Sequence, residues 1–459
     1  MQLFTKNIFA DKIFYHVYPL GLGGCQQNND FCQPAGNFFE IFSGELERIK
    51  TLGCNAIYFG PIFESSRHGY DTIDYYYIDR RIGNNQKFKD FCKFAHENGF
   101  AIVVDGVFNH TGRDFFAFKD IQKNGMNSIY KDWYSNLNFE RNSNYGDNFD
   151  YDGWAGCKDL VKLNLSNQDV QNHIFGAVKF WMEEFGIDGI RLDAADVIDG
   201  KFLENLGTFC RSLREDFWLM GEVVHGDYNK WCNPKKIDSV TNYQLYSAIF
   251  SSVDKGNFYE LSYNLNREFG KENGLYKYAP LYNFLDNHDV NRVASEIQNP
   301  QKHLYLIYGL LFAIPGIPSI YYGSEFAIKG KRGNFDDFKL RPSLPPFSSM
   351  PDFAKPDFDA SFLQEAIRQF AEIRKNSNAL KYGSYREEKI SNRQFVFSRN
   401  YDGEEILVVC NSDNKESIIN LNLPQSETYE DLKSHKIYSV SELKNLTIAP
   451  LDIRFLVKK

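Results

Sequence analysis

The sequence predicts an α/β protein built on a closed parallel β/α barrel, with an antiparallel β domain behind it. Three observations lead there. Four short segments, DGVFNH (105–110), GIRLDAAD (189–196), MGEVVH (220–225) and FLDNHD (284–289), each begin in an apolar run and end in carboxylates, arginine, histidine or asparagine. Burying such groups unpaired is costly, so each reads as a buried strand whose last residues emerge at one end of a sheet. Between them lie stretches of helical period, and three helices end in a glycine that leads into a strand: Leu52-Gly53 into AIYF, Asn98-Gly99 into AIVVD and Phe185-Gly186 into GIRLD. Glycine just past a helix takes the left-handed conformation without steric cost, which marks the αβ half of a repeated βα unit. An open doubly wound sheet is disfavoured, because Gly21, Gly23 and Gly24 lack the spacing and the following helix of a dinucleotide loop. In a closed barrel the carboxyl ends of the strands converge on one face, where catalysis sits.

Taken in order, the chain opens with MQLFTKNIFADKIFYHVYPL, which has no cationic stretch followed by a long apolar core. Neither a signal peptide nor a membrane span is expected, and the expected location is the cytosol. The first strand begins near Lys12. Phe88, Phe91, Phe94 and Ala95 form the apolar stripe of the helix before AIVVD. Residues 112–161, rich in Asn, Asp, Tyr and Phe without clear period, read as a small inserted domain or a functional loop beside the active face. Ser166 and Asp169, spaced as a capping box, start a helix carrying Ile174, Val178, Trp181 and Met182. The proline-rich RPSLPPFSSMPDFAKPDF (341–358) reads as a long loop, and SFLQEAIRQFAEIRKNSNAL as a helix. Beyond it RQFVFSR, EILVVCNS, SIINLNL, HKIYSV and IRFLVK alternate as short strands. The chain thus divides into barrel residues 1–111 and 162–380, an insertion at 112–161 and a β domain, expected to be structural, at 381–459.

Composition fits a soluble enzyme. A chain of 459 residues can bury a large core, and a formal charge of −8 without a basic run argues against a nucleic-acid partner. Cysteines 25, 32, 54, 92, 157, 210, 232 and 410 show no paired metal spacing and are expected to be mostly reduced core residues.

Arg191 and Asp193 lie two apart on one strand and share a face, so the guanidinium is expected to favour the ionised form of Asp193, as a nucleophile requires. Glu222 ends the next strand after the uncharged WLMG, with no lysine or arginine in the six residues before it. A carboxyl kept from cations and partly desolvated, or facing another carboxylate, tends to hold its proton and can act as a general acid. Two carboxyls in those states, roughly 5 to 5.5 Å apart, are what glycoside hydrolysis with retention requires. Asp289 is a third acid free to bind sugar hydroxyls, and neutral His110 and His288 can donate to them.

These four segments resemble, in order and spacing, the four conserved regions of the α-amylase family of glycoside hydrolases, and the resemblance covers nearly the full chain. It implies a (β/α)8 barrel, an insertion after its third strand and a C-terminal β-sandwich. It also implies Asp193 as nucleophile, Glu222 as acid/base and Asp289 as transition-state stabiliser, with Arg191, His110 and His288 around the cleaved glucose. Tyr70 in HGYDTIDYY resembles the family's stacking tyrosine, with Asp71 beside it; PGIPSIYYGSEF resembles the last barrel strand, and Asp337 and Arg341 a pair contacting the non-reducing side of the substrate. Asn109 matches a position that ligates structural calcium in many amylases, but the other ligands are not recognisable, and the alternative is a hydrogen bond to loop backbone. No other cofactor is implied.

The sequence also departs from the family. Asp196 and Val197 stand where endo-acting amylases carry a Lys-His pair, while GEVVH and DLVKLN resemble the cyclomaltodextrinase, neopullulanase and maltogenic-amylase group, in which a bulky aromatic often replaces Val224. With the first strand near Lys12, that group's N-terminal domain is expected to be absent, and dimerisation through it is not expected. The resemblance implies a retaining hydrolase of α-1,4-linked malto-oligosaccharides, with cyclodextrins or pullulan fragments as further substrates. A 4-α-glucanotransferase is the alternative in the same chemistry. An inactive carbohydrate-binding relative is opposed by the intact triad, and a metal-dependent barrel hydrolase by the absence of a His-x-His pair on the first strand.

Overall fold

The computed structural model describes residues 9–334, 336–421 and 427–459. Residues 1–8, on which part of the N-terminal reading rests, and the end of SIINLNL lie outside the described residues. Eight parallel strands form the barrel: β1 (Phe14–Val17), β2 (Ala56–Phe59), β3 (Ala101–Gly106), β4 (Gly189–Leu192), β5 (Trp218–Gly221), β6 (Ser239–Val240), β7 (Tyr282–Asn283) and β8 (Ile317–Tyr321). Ladders join them in the order β6-β5-β4-β3-β2-β1-β8-β7. The ring closes between β6 and β7 by a single parallel bridge, Thr241 to Tyr282, with the Asn242 amide donating to the Tyr282 carbonyl at 2.9 Å.

The two-residue period of a strand decides what each contributes. Phe14, Ala56, Tyr58, Val103, Trp218, Met220, Tyr282 and Ile317 pack together inside the barrel. The alternate residues Tyr15, Ile57, Phe59, Ile102, Val104, Ile190, Leu192 and Leu219 join the larger core between strands and helices. Continued toward the carboxyl ends, the inward set turns polar: His16, Asp105, Arg191, Asp193 and Glu222. The apolar plug below and the polar floor above are therefore one alternation read at two heights.

Gly53, Gly99 and Gly186 all have positive φ, as their place between helix and strand predicts. At Gly53 a Cβ would also lie 2.3 Å from that of Ala371. Helix Asn85–Glu97 buries Phe88, Phe91, Cys92 and Ala95. Phe94, expected in that stripe, is exposed. The Ser166–Asp169 capping box does not form, because the helix begins one residue later, at Gln168. Asn167 is the cap, accepting from the Asp169 and Val170 amides at 2.8 and 3.3 Å, while Ser166 donates to Asn164.

Between β3 and β4 the chain leaves the barrel. His110–Gly112, Gly153–Trp154 and Cys157–Lys162 form an antiparallel sheet, and Phe116–Asn124 is a helix that the sequence period did not reveal. Arg113 holds this excursion to Asp147 at 2.7 Å. After helix Ser361–Lys375, strands Ser384–Ile390, Gln394–Tyr401, Glu404–Asn411, Asp452–Lys458, Thr428–Asp431 and Ile437–Ser439 make one antiparallel sheet in that order. The sequence reading missed the first and fifth of these, SYREEKI and TYED, because charges break their apolar alternation. No described helix is long and apolar enough to cross a membrane. All eight cysteines are free, five of them buried.

Candidate active site

Arg191 organises the barrel mouth. It projects from β4, is 2% exposed, and its guanidinium reaches three carboxylates on three strands. Nη1 lies 2.8 Å from Asp105 and 3.0 Å from Asp193, and Nη2 lies 2.9 Å from Glu222. Asp105, the register partner of Arg191 across the ladder, fixes the fork from behind. Its other oxygen accepts from Tyr58 and Tyr70, both at 3.0 Å. Glu222 is held further by the Ala194 amide at 3.0 Å and the Tyr243 hydroxyl at 3.4 Å. Ala194 directs that amide from the left-handed region, φ +47°, a conformation that non-glycine residues adopt at a cost.

A second cluster forms on the turn after β7. His288 Nε2 lies 2.9 Å from Asp289 and is hydrogen-bonded to the Tyr70 hydroxyl. Arg341 Nη2 bridges Asp289 at 2.9 Å and Asp337 at 3.2 Å, its Nε donates to the His288 carbonyl, and its guanidinium lies over the Tyr18 ring. Asp71 accepts from the His68 and Gly69 amides and so shapes the turn that presents Tyr70. His110 Nε2 sits 3.1 Å from the Tyr70 carbonyl and its Nδ1 3.2 Å from the Asn109 amide, so both ring nitrogens are engaged within the protein.

Burial dominates the electrostatics. It holds the Asp193 carboxyl well above the ordinary carboxylate range, against the pull of Arg191 and with help from Glu222, Asp105 and Asp289. Arg191 does pull Asp193 down as expected, but the expected net ionisation is overturned: desolvation of a carboxyl among other carboxyls outweighs one guanidinium shared three ways. Glu222 is also raised, by burial and then Asp289 against Arg191. The direction matches the sequence reading, but the premise fails, since Glu222 touches Arg191 across the β4–β5 ladder. Both carboxyls are thus raised by burial while lying against the same guanidinium. Asp289 goes the other way: burial raises it, but His288, Arg341 and Arg191 together hold it well below the carboxylate range. Burial lowers His110 to about 4, which keeps it neutral.

The structure brings Tyr70, Asp193, Glu222, Arg191, His288, Asp289 and Arg341 into contact with one another, with His110 and Asp71 behind Tyr70 and Asp337 at the rim. Sequence reasoning missed Asp105, Tyr58, Tyr243 and Asn287. For Asp105 a signal existed, since it shares the inward parity of β3. The Asn109 amide is turned to His110, and among the described residues no three His, Cys, Asp or Glu side chains group as ligands.

Comparison with known proteins agrees with this architecture. The family model for the α-amylase catalytic domain matches residues 36–389, and that for the α-amylase C-terminal all-β domain matches 386–448. The chain is 30% identical over 453 residues to a cyclomaltodextrinase of Thermoanaerobacter pseudethanolicus, covering 94% of this chain and 75% of that protein. It is 29% identical to neopullulanase 2 of Thermoactinomyces vulgaris, covering 98% and 78%. A solved cyclomaltodextrinase superposes with a TM-score of 0.85 at 26% identity, covering 98% of this chain and 78% of that one. With the catalytic-domain match extending over most of its length and joined to the C-terminal one, the chain belongs to the α-amylase family of glycoside hydrolases.

Proposed function

We propose that this enzyme hydrolyses α-1,4-glucosidic bonds of malto-oligosaccharides and maltodextrins with retention of configuration. The observation that carries the reading is that Asp193 and Glu222 are held by the two ends of one buried guanidinium, at 3.0 and 2.9 Å. A pair carrying one proton supplies one carboxylate and one carboxylic acid, the two states a retaining mechanism uses. Asp193 attacks the anomeric carbon while Glu222 protonates the glycosidic oxygen, and the reducing-end fragment leaves. Glu222, now a carboxylate, then takes a proton from water, which attacks the same carbon and releases Asp193.

Charge balance favours the cationic transition state. Asp105, Asp193, Glu222 and Asp289 face Arg191, Arg341 and His288, so four carboxyls concentrate negative charge where the sugar ring would lie. Such fixed charge stabilises an oxocarbenium-like centre more than the neutral ground state. Asp289, kept ionised by its cations, is placed to exchange them for sugar hydroxyls and favour a distorted ring.

Likeness to a cyclomaltodextrinase and a neopullulanase supports cyclodextrins and pullulan fragments as further substrates. Transfer to an acceptor sugar is the second reading, since water and a sugar hydroxyl meet the same intermediate. No calcium requirement is proposed. A cytosolic location is supported by eight unpaired cysteines, which fit a reducing compartment. The test is a product time course on maltotriose, maltohexaose, β-cyclodextrin and pullulan, with wild type beside Glu222→Gln and Asp193→Asn. Loss of turnover in both variants and a first-formed α-anomer by proton NMR are expected. A β-anomer would reject retention, and products formed from maltotriose that are longer than maltotriose itself would favour transfer.

A further inference from the structure

We infer that Asn287 and Tyr243 form a one-way hydrogen-bond relay that orients Glu222 and strengthens it as an acid. The inference rests on the acid/base role proposed for Glu222. The Asn287 side chain is fixed by its own turn, its Oδ1 accepting from the Asp289 and Val290 amides at 2.8 and 3.1 Å. That leaves Nδ2, which can only donate, directed at the Tyr243 hydroxyl oxygen at 2.9 Å. The phenol oxygen therefore accepts from Asn287, and its single proton is free to point to Glu222 Oε1, at 3.4 Å. The other oxygen of Glu222 is already held by the Ala194 amide and Arg191.

Each donor to the charged form favours the carboxylate, so Tyr243 offsets part of the rise that burial imposes on Glu222. A stronger acid gives up its proton earlier to a poor leaving group such as a sugar alkoxide. The relay also joins the two halves of the site, because the turn that shapes Asn287 is the one that presents His288 and Asp289. Glu222 is faced by Arg191 and Asp193 from β4, by His288 and Asp289 from the turn after β7, and by Tyr243 from the end of β6. Of these, Tyr243 alone is an uncharged donor that can be removed without changing the charge of the site.

Tyr243 is a positioning residue in this account, and its test separates acid strength from packing. The ring packs on Phe284 at 4.9 Å and Tyr246 at 5.8 Å, contacts that Tyr243→Phe preserves. The readout is kcat/KM on maltotriose, whose leaving group needs a proton, against α-maltosyl fluoride, whose leaving group needs little. Tyr243→Phe should lose about tenfold on maltotriose and less than about twofold on the fluoride, a part of the roughly 100- to 10,000-fold that a general acid supplies. The alkaline limb of its maltotriose profile should move to higher pH. Asn287→Asp keeps the acceptor oxygen for the turn but offers the phenol a competing acceptor, and should show the same split. Equal losses on both substrates, or no loss on either, would overturn the relay. Glu222→Gln serves as reference: a reference variant without the split would reject the acid/base role itself, whereas a split there and not in Tyr243→Phe would reject the relay alone.

Discussion

Glu268 should make the barrel seam less stable as pH rises. It lies on helix Phe258–Phe269, is 0% exposed, and faces the single-bridge closure between β6 and β7. Its Oε2 accepts from Asn242 Nδ2 at 3.0 Å, and that same nitrogen donates to Asn283 at 3.0 Å. Burial raises this carboxyl from 4.5 to about 7, against the opposing pulls of Asn242 and Arg267. A raised carboxyl binds its proton more tightly in the folded chain than in the unfolded one. Its stabilising contribution is therefore complete below pH 4.5 and is lost as pH climbs through 7. At 1.36 kcal/mol per unit, the rise corresponds to about 3 kcal/mol. A specific unfolding entropy of about 2.1 cal/mol/K per residue over a chain this long converts that to about 3 °C in the thermal midpoint. Glu268→Gln has no proton to lose, so its midpoint relative to wild type should rise by about 3 °C between pH 4.5 and pH 8. Scanning calorimetry on both proteins across that range checks it. A difference that stays constant with pH would refute the reasoning.

Other consequences follow from the contacts around the two guanidiniums. Asp105→Asn removes a charge from the back of Arg191 and should cost on the order of 100-fold in kcat with the thermal midpoint little changed; near-wild-type turnover would show that the fork does not need that support. Arg341→Ala removes one of the cations that hold Asp289 low, so the acid limb of the pH profile for kcat/KM should move to higher pH, and an unmoved limb would count against Asp289 as the group titrating there.

The barrel was legible because its signals are local. Apolar runs that stop in charges, and glycines between helix and strand, are visible within ten residues of chain, and Gly53, Gly99 and Gly186 all take the expected conformation. Strand β6 carries two residues and offers no run to read, while β7 is Tyr282–Asn283, so the FLDNHD segment read as a strand end lies in the turn that follows it. What the sequence hides is which residue faces which across a ladder. Glu222 looked free of cations because Arg191 is thirty-one positions earlier in the chain, yet their strands are neighbours. Asp193 looked acidified by Arg191 because that partner is two residues away, while the burial and the three carboxyls that outweigh it are contributed by the fold. Asp105 stood inside a quoted motif and went unassigned because its partners, Tyr58, Tyr70 and Arg191, come from three other segments.

Ala194 shows how the site trades stability for placement. An L-residue in the left-handed region costs about 1 kcal/mol or more, and a glycine there would remove that cost. Yet this strained turn, immediately after Asp193, is what aims the Ala194 amide at Glu222 Oε2, 3.0 Å away. Alanine admits fewer backbone conformations than glycine, so once the surrounding fold has forced it into this one the amide has little freedom to leave Glu222. Ala194→Gly should therefore raise or preserve the thermal midpoint while lowering kcat severalfold, an inverse pairing of stability and activity. Measured side by side, a gain in both would mean the strain serves no placement, and a loss of midpoint would mean the turn is not strained at all.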